Sequence, residues 1–434
     1  MHPRVLIIGT VPYNRQTSSR AFESYFSNWE KDNLIQIYSN PREPVHGHCC
    51  EFYQITDFRM LKRRFSRKVQ TGKLYHDFDL KDSWESTPAN KKNFFISKMY
   101  SIGSKKSPLN HLLRGWLWNK KYWCTDELNS WVDAFKPECI FLAFSDDYFI
   151  PQIALYFAEK YNIPIISCIG DDYYFNEKKT LSPFYYLYKK TYKHLIDKIF
   201  QHGGSAAYIG DKIRDKYNEN FHLNGKTVYL TSEIHRREFK PINVENPYIT
   251  YCGNIRLGRN HSLCTIANTL GRINDSYRVD IYSNETEVEY YNILEKNKYI
   301  RFHGAVPYSD VISIFEKSDI VLVVEGFDKK DVDITRYSLS TKVADSLASG
   351  CAIVSFGSIE CGAIEYLKDI DCGPVCTNEK ELLRTLNLLL NDVNYQHRNY
   401  EKSKVITMRN HTLSNSNRVF ESIIDHAIAE YRSK

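Results

Sequence analysis

Short unbroken apolar runs, each followed by a stretch with helical spacing, constrain this chain more than any other feature. "RVLIIG" (4–9) is apolar after its first residue and ends in glycine, the mark of a strand buried on both faces of a parallel sheet. A polar loop, a helical pattern in "SRAFESYFSNWEKD" and a second apolar run, "LIQIYSN", come next. That order opens a doubly wound sheet. The alternation breaks at a basic stretch and resumes with "ECIFLAFSDD" (138–147) and "IPIISCIGDD" (163–172), each leading into a helix. A loop with two prolines, "HRREFKPINVENP" (235–247), reads as a linker, and the alternation starts afresh at "YITYCGN" (248–254).

A chain of 434 residues exceeds what one core supports, so two α/β domains are predicted. The expected boundaries are 1–240 for the first, 248–415 for the second, and 416–434 for a closing amphipathic helix that crosses back to the first. The 11 cysteines are scattered, without the spacing of a zinc site. His46 and His48 beside Cys49 and Cys50 read as a polar loop rather than a metal site. The opening "MHPRVLIIGT" is too short in apolar residues for a secretion signal, and no apolar stretch is long enough to cross a bilayer. Reduced thiols and a cytoplasmic location are the expectation.

Several α/β chemistries lack their motifs. Neither GxGxxG after the first strand nor GxxxxGK[ST] is present, which removes the dinucleotide and P-loop readings, and there is no GxSxG elbow. In open parallel sheets, ligands bind at the carboxyl ends of strands, where helix N-termini present N–H groups to anions. The second half is well supplied there. Gly253 and Asn254 end one strand, with Arg256 and Arg259 in the same loop, and Gly304 ends another. In "YSLSTKVADSLASGCAIVSFG" (337–357), Ser340 and Thr341 can cap a helix whose first turn carries Lys342. Lys342 and the helix end make a diphosphate seat, and Asp345 one turn on has the acceptor chemistry for a ribose. An ordinary surface helix fits the same spacing. Small residues at Ala344, Ala348, Ser349 and Gly350 let the helix lie close against its sheet.

Taken in order, "YCGNIRLGRNHSL", "IRFHGAVPYSDVISIFEKSDIVLVVE" and "STKVADSLASGCAIVS" resemble the C-terminal domain of GT-B glycosyltransferases of the family 4-like, bacterial surface polysaccharide type. The resemblance spans roughly 248–376 and implies two Rossmann-like domains facing each other across a cleft. It implies that Arg259, and with it Arg256, meets the donor diphosphate. Gly304 to Val306 would lie by the base, Ser340, Thr341 and Lys342 by the phosphates, and Asp345 at the ribose. The family places a glutamate eight residues before that acid, where this chain has Tyr337. Either Glu325 of "EGF" approaches the sugar in its stead, with "DKKDVDITR" (328–336) reading as a polar loop, or the chain manages without that glutamate. In "CIGDDYYF" (168–175), Asp171 with Asp172 falls near the acceptor-side histidine of the family, as a base or hydroxyl-orienting group. A loop aspartate capping the next helix fits as well, and so it does for Asp146 and Asp147. The resemblance implies no metal or cofactor, since side chains and helix ends neutralise the departing diphosphate.

The net charge of +6 is unevenly placed: 59–124 holds 16 Lys and Arg against 4 Asp and Glu, leaving the rest slightly acidic. Aromatics interleave these charges, as in "LKRRFSRK", "KKNFFISKMYSIGSKK" and "LLRGWLWNKKYWC". An anionic membrane surface, plain solvated helices and nucleic acid all match that composition, the first best suiting a lipid-linked acceptor. The expected activity is transfer of a sugar from a nucleotide donor, a UDP-sugar, to a glycan or lipid-linked glycan, with retention. No nucleic-acid partner is expected, and the place of work is the cytoplasm or the inner face of the membrane. A sugar-nucleotide 2-epimerase, or a silent GT-B scaffold that binds a sugar nucleotide or a partner transferase, are the rival readings.

Overall fold

A computed structural model describes residues 2–13, 19–66, 68–81 and 107–433. The basic stretch therefore lies partly outside the described residues. The chain forms two compact units: Met1–Tyr208, Arg214–Val228 and Asn417–Lys434 make the first, Ile209–Ile213 and Tyr229–Ser416 the second.

The first unit is built on an eight-stranded sheet of order β4-β3-β2-β1-β5-β6-β7-β8. Its strands are β1 (Val5–Gly9), β2 (Leu34–Tyr38), β3 (Glu51–Ile55), β4 (Gly72–His76), β5 (Cys139–Ala143), β6 (Ile165–Ile169), β7 (Gly204–Tyr208) and β8 (Lys226–Thr227). All pair in parallel except β4, which runs antiparallel to β3. β1 shows why an unbroken apolar run was needed. Leu6 and Ile8 enter a core with Trp118 and Phe149, while Val5 and Ile7 enter another with Phe22, Phe26 and Phe420. Both faces are covered, so both phases of the two-residue period must be apolar. The sequence pattern did not reveal β3 and β4. β4 is an edge strand, half-buried along most of its length, and "GKLYH" carries no apolar run. The last helix, Leu413–Ser433, sets Phe420 against Phe26 and Phe141 at ring separations of 4.9 and 5.6 Å.

The second unit has a six-stranded, wholly parallel sheet of order β11-β10-β9-β12-β13-β14. It comprises β9 (Ile249–Cys252), β10 (Val279–Tyr282), β11 (Ile300–Gly304), β12 (Ile320–Val324), β13 (Ala352–Phe356) and β14 (Val375–Cys376). This is the 3-2-1-4-5-6 order of a dinucleotide-type sheet, and it reverses between β9 and β12. Residues leaving the carboxyl ends of those two strands converge on one spot.

Two expectations need correction. The first domain was expected to run to residue 240, but the chain joins the second unit from Tyr229 onward. Ile234 is buried with Val343 and Leu347, and Arg236 donates to the Leu347 carbonyl at 2.8 Å and the Tyr400 carbonyl at 2.5 Å. Packing holds this segment where proline content suggested a free linker. The stretch 328–336, read as a polar loop, contains the helix Lys329–Thr335. Its Asp331, Val332 and Thr335 are buried, and Val332 packs on Cys361 and Ile364, so tertiary contact stabilises a sequence of weak helical pattern.

Candidate functional site

At the end of β9, Gly253 has φ +149° and its amide donates to the Tyr282 carbonyl at 2.8 Å. A Cβ there would stand 1.9 Å from Lys342 Cε, so the lysine stem runs directly over the glycine. Beyond it, the Lys342 ammonium donates to the Tyr251 hydroxyl at 3.0 Å, and that hydroxyl donates to the Asn254 carbonyl at 2.5 Å. The partner of the ammonium is a neutral phenol, which leaves its charge uncompensated by the contact.

Lys342 stands in the first turn of the helix Thr341–Ser349. From Val343 onward every residue of that helix is buried, so it is not a surface helix. Ser340 holds the N-cap position with extended backbone, yet its side chain makes no capping hydrogen bond, against the expectation. The Ser340 hydroxyl thus does not cap the helix start, and the positive end of the helix adds to the charge of Lys342. Ala348 packs with Val321 and Val323 of β12, and Gly350 serves a second neighbour besides the sheet. A side chain at Gly350, whose φ is +76°, would come within 2.8 Å of the Arg237 carbonyl and 3.2 Å of the Tyr400 ring. One turn past Lys342, the buried Asp345 carboxylate accepts from the Ser232 hydroxyl at 2.6 Å. Burial first, and Asp345 next, push the Cys252 thiol up to about 12, while Lys342 pulls the other way.

Strand register extends this point into a row. Cys252, Tyr282 and Gly304 are partners across β9, β10 and β11. Two strand spacings put Gly304 about 10 Å from Cys252. Gly304 has φ +74°, and a Cβ on it would meet nothing within 4 Å. Val306 and Tyr282 both pack on the core below. The row therefore offers a cationic end at Gly253 and Lys342 and an open, flat end at Gly304.

The two arginines of the β9 loop go elsewhere. Arg256 gives Nε to Glu285 at 2.5 Å and Nη2 to Glu285 and Glu287 at 2.8 Å each, which holds the Glu285 carboxyl down at about 2. In this structure its guanidinium is engaged by those carboxylates, where the resemblance implied a diphosphate. Arg259, at the start of the helix Arg259–Ile273, meets Glu325 at the end of β12, with Nε and Nη2 at 2.9 and 2.6 Å from Oε2. Burial alone would pull this guanidinium down, but Glu325, with Tyr251 behind it, raises it. The loops approach closely there, since a Cβ on Gly326 would fall 2.3 Å from the Leu257 carbonyl. Two residues expected in separate roles, diphosphate ligand and catalyst, are thus each other's partner.

Asp171 and Asp172 belong to the first unit, after β6. Asp172 Oδ1 accepts from the amides of Tyr174 and Phe175 at 3.1 and 2.8 Å and from the Tyr217 hydroxyl at 2.8 Å. That oxygen holds the turn that follows β6. Asp171 is exposed, with the Tyr173 hydroxyl 3.5 Å away. Lys189, drawn down to about 8 by burial, straps the same loop through the Tyr173 and Asn176 carbonyls, both at 2.7 Å.

Tyr251, and the His111 and Arg114 partners of Asp147, escaped the motif reading. Tyr251 is 1% exposed and reads as core, yet its hydroxyl reaches Lys342. At the end of β5, Asp147 receives Arg114 at 2.5 Å and has His111 Nδ1 at 3.4 Å. Burial works against ionisation of Asp147, but His111 and Arg114 hold its carboxyl below the usual range. His111 and Arg114 share a helix at i, i+3, a spacing too common to signal a site. Among the described residues, no group of three or more His, Cys, Asp or Glu side chains is placed to hold a metal ion, and no helix is long and apolar enough to cross a membrane.

No protein-family model matches this chain, and no curated protein matches it by sequence. Solved structures match along its whole length. Anabaena HepE in complex with UDP and glucose aligns over 98% of this chain and 100% of its own, with 10% identity and a TM-score of 0.59. The E. coli protein OtsA bound with UDP-2-fluoro glucose aligns over 98% of this chain and 99% of its own, with 9% identity and a TM-score of 0.58. TarM aligns over 68% of this chain and 57% of its own, with 13% identity and a TM-score of 0.51. These neighbours are GT-B glycosyltransferases, and the present chain has the GT-B fold.

Proposed function

We propose that this protein is a glycosyltransferase that moves a sugar from a UDP-sugar to a glycan or lipid-linked glycan, in surface polysaccharide assembly and with retention. The observation that carries the reading is the row from Lys342 over Gly253 to the open strand end at Gly304. A nucleoside diphosphate needs cationic and N–H donors for its phosphates, an acceptor for its ribose, and room for a flat base. In this reading Lys342 and the first turn of its helix take the phosphates, Asp345 exchanges Ser232 for a ribose hydroxyl, and the base lies by Gly304 and Val306. When the sugar C1–O bond breaks, negative charge grows on the departing UDP, next to a lysine and a helix end already aimed at it. The acceptor hydroxyl forms the new bond at C1 and passes its proton to the phosphate oxygen that leaves with UDP. Asp171, exposed at a strand end of the first unit, is the group proposed to orient that hydroxyl. Arg259 and Glu325 act as a fixed pair that shapes the loops around the diphosphate. No metal or cofactor is invoked, and the proposed place of work is the cytoplasmic face of a membrane.

Calorimetric titration of the full chain with UDP, GDP and their glucose and N-acetylglucosamine derivatives tests the donor site, UDP being the expected tight binder. Labelled UDP-sugars offered with bacterial lipid extract test the transfer. Binding without transfer or donor hydrolysis would favour the silent scaffold, and conversion to the 2-epimer would favour the epimerase.

A further inference from the structure

We infer that the helices Pro108–Leu117 and Pro183–His202 of the first unit form the docking surface for an anionic lipid bilayer. The inference rests on the membrane reading above and assigns it to particular side chains.

In the helix Pro108–Leu117, Leu109, Leu113 and Trp116 follow one another at i, i+4 and i+7 and are 44, 54 and 57% exposed. That spacing makes one stripe, which in an ordinary surface helix would face the core. The core-facing side here carries His111, stacked on Tyr188 at 4.7 Å, and Gly115, which has no room for a side chain because Tyr148 fills the space. The stack on Tyr188 joins this helix to Pro183–His202. The second helix buries Tyr185, Tyr188, Tyr192, Leu195 and Ile196 and leaves Phe184 and Leu187 about half exposed, while Leu181 just before it is fully exposed. Two packed helices thus each turn apolar side chains outward.

The charges within the two segments are nearly all basic, and Asp57 and Asp147, which face the first helix, are paired with its Arg114. Residues 107–124 contain no Asp or Glu, and residues 177–193 contain only Glu177, which pairs with Lys193. Lys120, Lys121, Lys178, Lys179 and Lys190 are exposed. The Arg64 guanidinium lies 3.2 Å from the centre of the Trp116 ring and adds a further cation. Apolar side chains ringed by lysines match the acyl boundary and the anionic headgroups of a bilayer. A second copy of the chain fits poorly, because an isologous contact would bring the lysines of both copies face to face.

Flotation of the full-length protein with phosphatidylcholine vesicles, with and without phosphatidylglycerol, tests the assignment. Wild type is expected to float only with the anionic vesicles, and less so as salt is raised. Leu113→Ser with Leu187→Ser, and separately Lys178→Gln with Lys179→Gln and Lys190→Gln, are expected to weaken binding, the lysine set by about a hundredfold. Unchanged circular dichroism and melting temperature serve as the control for folding. Wild type that stays with the protein fraction overturns both this surface and the membrane reading. Wild type that floats while both variants float equally overturns the surface and leaves the membrane reading standing. A wild-type dimer that dissociates in the Leu113 and Leu187 variant, by sedimentation velocity, would give the surface to a second copy and overturn the inference.

Discussion

Arg259 and Glu325 form a buried ion pair where the strand order of the second sheet reverses, two guanidinium nitrogens converging on one carboxylate oxygen. Glu325 is 2% and Arg259 8% exposed. Removing one partner strands a charge out of water, whereas removing both does not. Glu325→Gln is therefore expected to destabilise the protein by about 3–5 kcal/mol, and adding Arg259→Met to recover much of that. Urea unfolding of both variants checks it; equal stability of wild type and Glu325→Gln would refute the coupling.

Lys342 bears the charge in the proposed phosphate seat. Lys342→Met keeps the stem over Gly253 and removes the ammonium, and is expected to weaken UDP binding about 10- to 100-fold with little change in stability. Calorimetric titration at two salt concentrations reads both the loss and the weaker salt dependence of the variant.

Gly253→Ala sets a methyl group where the lysine stem passes and adds a side chain at φ +149°. It is expected to reproduce the binding loss of Lys342→Met and to cost about 1–3 kcal/mol of stability as well. Titration beside thermal unfolding separates the two effects.

Asp345 has a sharper test than lost affinity. If it takes a ribose hydroxyl, wild type will prefer UDP to its deoxyribose counterpart by about tenfold, and Asp345→Ala will bind both alike. An undiminished preference in the variant would place the ribose elsewhere. Ser232→Ala, which removes only the hydroxyl now on Asp345, is expected to leave the preference intact.

His411 predicts a pH dependence of stability. Burial lowers it from 6.5 to about 4, although the Leu230 carbonyl at 2.8 Å from Nδ1 pulls it back in part. That carbonyl can only accept, so Nδ1 carries the proton, and Nε2 receives the Tyr366 hydroxyl at 2.9 Å. The folded value lies below the unfolded one. Stability from this residue is therefore complete above pH 6.5 and falls progressively towards pH 4, by about 3 kcal/mol in all. Urea unfolding between pH 4 and 7 should show a shallower slope for His411→Asn than for wild type.

Much of the fold was legible where a strand is apolar in both phases, as in β1 and β12, or is closed by a glycine, as in β1 and β9. β1, β9 and β12 could be read one at a time. β3 and β4 could not: β4 is an edge strand with one wet side and no apolar run, and the buried β3 beside it, "EFYQI", is broken by Glu51 and Gln54. The helix Lys329–Thr335 was hidden for a related reason, its stability coming from Cys361 and Ile364 rather than from its own pattern.

At the site, local sequence placed Gly253, Lys342 and Asp345 at strand and helix ends. A glycine after an apolar run and a lysine after two hydroxyl residues are local patterns, legible one segment at a time. Which groups face one another was decided by tertiary structure. Strand order carries the Arg259 helix to Glu325, sixty-six residues away, and leaves Arg256 beside Glu285 and Glu287. The segment at Ser232 returns to Asp345 from 113 residues earlier, and Tyr251 is core by burial yet part of the site through its hydroxyl. Burial and backbone period are local quantities that a sequence carries residue by residue. The partner of a charge depends on which strands become neighbours, and only the folded sheets determine that.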